Sequence, residues 1–173
     1  LARSLRECGI GSLYGVPAGK LSALMAAVEA DGGLRHVGVR HEAAAVWMAA
    51  ASFQARGELA VCFGESGPGS HNLVSALGSV RSNNLAVLVI TPGAPTHAAY
   101  PFEGLVMDSD NDRLFAAVTK WNAVVRDATR IPALVRHAVR EALTGRPGPV
   151  HLEVPVDILG APATVAVADL DVP

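Results

Sequence analysis

Glu42 follows His41 at the head of the run RHEAAAVWMAAASFQARG, just beyond the apolar segment HVGV. A carboxyl group at the mouth of a helix that is apolar on nearly every side is expected to lie in a dry, enclosed place. Desolvation makes such a group hold its proton more tightly than a solvated one, and groups of this kind pass protons near neutral pH. The plainer alternative is an acid that stabilises the positive end of a helix dipole, worth about 0.3–1 kcal/mol. A second cluster, ESGPGSHN, brings Glu65, Gly67, Pro68, Gly69 and Asn72 together directly after the strand-like LAVCFG. Its GxG spacing imitates a dinucleotide fingerprint. However, Asn72 occupies the place of the third glycine, and no acidic residue closes the next strand to hold a ribose. The sequence contains no GxxxxGK[ST] phosphate loop and no GxSxG elbow, and Ser66 has no base beside it, which argues against nucleotide-dependent and hydrolytic chemistry.

These residues need a scaffold, and the rest of the chain provides its signals. Strand-like runs SLYGV, HVGV, LAVCFG, AVLVIT, WNAVV and VHLEVP alternate with helix-length segments. This is the pattern of an α/β fold: a three-layer doubly wound domain around a mostly parallel six-stranded sheet. Pro17 suits a first helical turn, and the helical spacing of AGKLSALMAAVEA ends at Gly32 and Gly33. The helix begun at Glu42 should stop near Gly57. ESGPGSHN reads as a loop leading into the helix NLVSALGSV. PGAPTHAAYPFEG is the longest loop, followed by the amphipathic DRLFAAV and IPALVRHAVREAL. Ligands in doubly wound sheets sit beyond the carboxyl ends of the strands, so GVPAG, His41-Glu42, ESGPGSHN and the loop after Thr91 converge on one edge. The domain is expected over residues 1–158, with 159–173 a tail or linker.

At 173 residues the chain fits one domain with a substantial core. Half the residues are hydrophobic and 17% are charged, so apolar surface should remain for subunit contacts. A formal charge of -2 with scattered basic residues gives no footprint for nucleic acid or an anionic membrane. Cys8 and Cys62 suit neither a disulfide framework nor a metal site, which points to a reducing cytoplasm. No apolar run approaches the roughly 18 residues of a membrane span.

Taken in order, GVPAG, RHE, Gly57 with VCFGESGPGSHN, AVLVIT, PFEG, VTKWN and GRPGPVHLEVPVD resemble one family throughout. It is the pyrimidine-binding domain of thiamine-diphosphate-dependent enzymes, in the acetolactate synthase and 2-oxo acid decarboxylase group. The resemblance implies that Glu42 donates a hydrogen bond to a ring nitrogen of the cofactor's pyrimidine. That bond favours the imino form able to take the thiazolium proton, and a low dielectric strengthens it. It further implies that Pro17 and Gly19 turn against the pyrimidine. Gly67, Pro68 and Asn72 would contact the ring, and Phe102 and Glu103 would lie near the substrate. His41 is expected to position its loop rather than react.

Some positions depart from the family pattern. Ala18 stands where glycine is common. Glu65 replaces a threonine and puts a second carboxylate near the pyrimidine edge, where like charges would raise at least one pKa. Ala51, Ser52, Phe53 and Gln54 replace the family's Gly-Tyr-Ala-Arg. The sequence has no GDG motif, which in this family holds magnesium and the diphosphate, and it lacks the length for the central domain common in the group. The expectation is therefore a split subunit or fragment that is active only with a partner carrying GDG and binding Mg2+, in a hetero-oligomer with paired pyrimidine domains. The reaction implied is decarboxylation or carboligation of a small 2-oxo acid, a lyase or transferase activity. The competing expectation is a noncatalytic scaffold or regulatory module that kept the fold and lost the cofactor.

Overall fold

The computed structural model of the chain describes residues 1–99 and 105–162. Six strands, β1 (Ser12–Gly15), β2 (Arg35–Gly38), β3 (Val61–Phe63), β4 (Val87–Gly93), β5 (Trp121–Val124) and β6 (Pro149–Pro155), form one sheet in the order β2-β1-β3-β4-β6-β5. All five pairings are parallel, so the sheet is wholly rather than mostly parallel. Every strand predicted from the sequence is present.

Successive residues of the central strands serve opposite layers, as a pleated strand requires. Val61 and Phe63 of β3, with Leu88 and Ile90 of β4, face a core built with α1 (Ala2–Glu7), α2 (Ser22–Asp31), α6 (Ile131–Leu143) and α7 (Val156–Gly160). Cys62, Val87 and Val89 face the other core, built with α3 (Glu42–Arg56), α4 (Pro68–Ser82) and α5 (Asn111–Ala116). The three layers are thus helices, sheet and helices.

Helix boundaries follow local chemistry. α2 ends at Gly32 and α3 at Gly57, both left-handed with φ of 68° and 70°. Pro17 lies outside the helix, because a short 3-10 turn over Gly19–Leu21 precedes α2. The ESGPGSHN segment is less of a loop than the sequence suggests. Pro68 takes the first position of α4, where its missing N–H costs nothing, so Asn72 belongs to that helix. α7, after the strand VHLEVP, is not predicted by the sequence; it spans the expected boundary at residue 158, and residues beyond 162 lie outside the described part.

In this order β1 and β3 are neighbours although the chain visits β2 between them. The chain departs from β1 toward one sheet edge and from β3 toward the other, leaving a crevice between their carboxyl ends, the usual ligand position in such sheets.

Candidate functional site

The carboxyl edge of β1, β2 and β3 carries the residues singled out in the sequence. Glu42 is the first residue of α3, placed there by a three-residue connection from β2. His41 caps the helix in an extended conformation, its Nδ1 accepting the Ala43 N–H at 3.2 Å. Glu42 is half-buried, so the enclosure expected around it is incomplete within the described residues. Its Oε2 accepts a hydrogen bond from Asn72 Nδ2 at 2.9 Å. Oε1 has no hydrogen-bond partner among the described residues and lies against the Gly69 backbone: a Cβ at Gly69 would stand 3.2 Å from it. A Cβ at Gly64 would come within 2.9 Å of Glu42 Cγ. Glycine at these two positions lets the loop after β3 lie directly on the carboxyl side chain.

Asn72 thus fixes one carboxyl oxygen and leaves the other without a partner among the described residues. A carboxyl with one oxygen anchored and one free can present a single proton or lone pair in a set direction. Gly67, which caps α4, has φ 73°, a conformation that L side chains avoid, and a Cβ there would meet Met107 O at 3.0 Å. Pro68 is exposed at the helix start.

Glu65 sits beside this arrangement with its oxygens already engaged. Oε1 accepts from the Ser66 N–H at 3.0 Å, and Oε2 accepts from the Lys20 N–H at 3.3 Å. The second bond joins the loop after β3 to the loop after β1, bringing Gly19, an exposed residue, to the same place. Lys20 was not singled out from the sequence, where Ser66 figured only as a hydroxyl with no base beside it; in the fold the Lys20 ammonium lies 2.6 Å from Ser66 Oγ. Lys20 directly follows the GVPAG turn, but nothing in residue type alone shows that its ammonium reaches residues 46 and more positions away. Phe102 and Glu103 lie outside the described residues.

Further along the same edge, Glu153 on β6 is mostly buried. Burial pushes its pKa up to about 7, a hydrogen bond with Asn111 opposes that, and the nearby Asp112, Asp108 and Asp110 push it further up. Beside it, His151 is fully buried and its pKa is pushed down to about 3 by desolvation. Its Nε2 lies 2.8 Å from Thr91 Oγ1 and its ring stacks on Phe115 at 3.9 Å. This histidine is structural. His36 packs against Phe63, and His137 lies edge-on to Trp121. Among the described residues no cluster of three or more His, Cys, Asp or Glu could hold a metal ion, and no helix is long and apolar enough to cross a membrane.

On the outer side of α3, Trp47 and Met48 are exposed by 48% and 43%, whereas Ala45, Val46, Ala49 and Ala50 are buried against the sheet and α4. The domain alone therefore does not cover this helix all round.

Comparison with known proteins gives a consistent family signal. Residues 1–112 match the family described as thiamine pyrophosphate enzyme, N-terminal TPP binding domain. The chain is 33% identical over 161 residues to an acetolactate synthase large subunit of Parasynechococcus marenigrum, covering 91% of this chain and 26% of that protein. It is 32% identical over 154 residues to the acetolactate synthase isozyme 1 large subunit of Escherichia coli K12, covering 89% and 27%. It is 31% identical over 155 residues to a glyoxylate carboligase of Escherichia coli O157:H7, covering 89% and 26%. The chain thus spans about a quarter of the length of these relatives.

Proposed function

Because the chain belongs to the thiamine pyrophosphate enzyme family, as an N-terminal TPP binding domain, we propose that Glu42 and its surroundings form the pyrimidine side of a thiamine diphosphate site. The cofactor would act on a small 2-oxo acid by decarboxylation or carboligation, in the manner the names of the acetolactate synthase and glyoxylate carboligase relatives suggest. The observation that carries this reading is the pair Glu42 and Asn72, with one carboxyl oxygen held at 2.9 Å and the other facing the glycine backbone.

The residues present fit the group. A flat heterocycle beside Glu42 needs the carboxyl held close to a lean loop, and Gly64 and Gly69 let the loop after β3 lie on Glu42, where a Cβ would stand 2.9 Å from its Cγ or 3.2 Å from its Oε1. It also needs one directed hydrogen-bond partner for a ring nitrogen, and Glu42 Oε1 has that freedom. When bound, thiamine diphosphate supplies a stabilised carbanion at its thiazolium ring. Glu42 holds or releases a proton at Oε1, Asn72 fixes the carboxyl plane, and the loops carrying Pro17, Gly19 and Pro68 flank the ring.

Grip on the diphosphate and its Mg2+ is assigned to a GDG-bearing domain outside these residues, in the same polypeptide or another. Trp47 and Met48 favour pairing with a second pyrimidine domain, since two large apolar side chains on a helix next to the site gain by being covered. Such cover would complete the enclosure of Glu42. The two free cysteines, one of them fully buried, suit a reducing compartment such as the cytoplasm.

The decisive experiment is turnover of pyruvate and glyoxylate by the chain together with the diphosphate-binding domain, with and without thiamine diphosphate and Mg2+. We expect cofactor-dependent turnover that falls at least a hundredfold in Glu42→Gln with unchanged folding. No dependence on the cofactor would leave the noncatalytic scaffold as the correct reading.

A further inference from the structure

Lys20 reaches across the site in a way that neither its position in the sequence nor the family comparison announces. Its Nζ donates to Ser66 Oγ at 2.6 Å, to Val106 O at 3.2 Å and to Met107 O at 3.4 Å. An ammonium has three N–H donors, and here three neutral acceptors take them. Ser66 is 1% exposed, so one end of the network is anchored in the interior. The lysine's own N–H meets Glu65 Oε2. Three loops are thereby joined at one residue: the turn after β1, the glycine-rich segment after β3, and the turn at residues 105–107.

Among the described residues, little else holds that last turn. Leu105, Val106 and Met107 are exposed by 39%, 81% and 52%, so apolar burial contributes little. Met107 adopts φ 60°, which a non-glycine residue adopts only when its surroundings impose it. Its carbonyl points at the Lys20 ammonium, and its backbone lies on Gly67 so closely that a Cβ there would stand 3.0 Å from Met107 O. Hydrogen bonds from a charged donor are roughly twice as strong as neutral ones, and among the described residues they are what ties this turn beside Gly67.

We infer that Lys20 is a positioning residue that fixes the outer wall of the pyrimidine pocket by holding the Leu105–Met107 turn against the glycine-rich loop. This gives Glu65 a role of its own. Where a threonine would leave the Lys20 N–H without a carboxylate partner, Glu65 locks the start of the lysine's 3-10 turn and so aims its side chain. The inference rests on the proposed thiamine diphosphate site.

The test compares wild type, Lys20→Met and Lys20→Arg in the chain combined with its diphosphate-binding domain. Two quantities are read: hydrogen exchange over residues 105–112 and the half-saturating concentration of thiamine diphosphate. The Asp108 amide, which donates to Leu105 O at 3.1 Å, reports the turn directly. We expect Lys20→Met to exchange at least tenfold faster over 105–112 with unchanged exchange in Ile131–Leu143. It should also need about tenfold more cofactor, with kcat at saturation within twofold of wild type. Lys20→Arg, which keeps the charge, should recover part of both. Unchanged exchange, or faster exchange with unchanged cofactor demand, would overturn the role of Lys20 while leaving the site standing. A wild type indifferent to thiamine diphosphate would overturn the functional reading and this inference together.

Discussion

Asn72 and Glu42, 30 residues apart in sequence and on different helices, meet in a hydrogen bond of 2.9 Å between Nδ2 and Oε2. The bond decides which carboxyl oxygen is free. Replacing Asn72 with alanine removes the anchor and lets the carboxyl rotate, so we expect turnover to drop about tenfold or more, with stability falling by about 1 kcal/mol. Steady-state kinetics at saturating cofactor, set beside urea unfolding of the same variant, separates the two effects. Asn72→Asp goes further: two carboxylates at this distance share one proton. That variant should lose stability as pH rises above the usual carboxylate range, which thermal unfolding at pH 5 and pH 8 would reveal.

Gly67→Ala should cost about 1–3 kcal/mol, because φ 73° places a side chain in a conformation it rarely adopts and the new methyl would press on Met107 O. Denaturant midpoints measure this, and a neutral outcome would show that the turn at Met107 yields easily.

Glu153→Gln tests the buried acid at the end of β6. With its folded pKa raised to about 7 from an ordinary 4.5, the protonated form is favoured on folding. Its contribution is complete below pH 4.5 and is lost as pH rises through 7. Glutamine is neutral throughout, so the variant should match wild type near pH 4 and exceed it at pH 8 by up to about 3 kcal/mol, the full conversion of that shift. His151 acts in the opposite sense: its pKa is pushed down to about 3, so stability falls as pH drops below 6.5. Unfolding free energies of wild type, Glu153→Gln and His151→Asn at four pH values would check both signs, and either variant's curve running parallel to wild type would contradict its prediction.

Trp47→Glu combined with Met48→Lys should leave the thermal midpoint of the isolated domain within a few degrees, since both side chains are exposed in it. The proposed pairing of pyrimidine domains should weaken by at least tenfold. Sedimentation equilibrium provides the measurement, and unchanged association would remove α3 from the interface.

The architecture was legible because each layer left its own periodicity. Runs such as AVLVI are apolar at every position, as strands covered on both faces must be, and β4 is indeed buried along its whole length. Glu42 and Asn72 were legible through motif order, and their mutual bond came only with α4 starting at Pro68, which draws Asn72 into the helix and toward α3. Lys20 stayed hidden because a lysine after a turn looks like ordinary surface; only its three acceptors, distant in sequence, give it a role. α7 stayed hidden because five residues with one proline before them carry too little pattern to separate from a strand end.

Glu42 opens α3 and Trp47 lies five positions later on the same rod. A helix rises ~1.5 Å per residue, so the acid and the exposed indole are separated by under ~8 Å of stiff backbone. If a second pyrimidine domain covers this indole, as proposed, the contact and the carboxyl share one rod, and pairing would bear on the chemistry as well as on shelter. Specific activity should accordingly fall on dilution below the association constant and recover on concentration, with the monomers still fully folded.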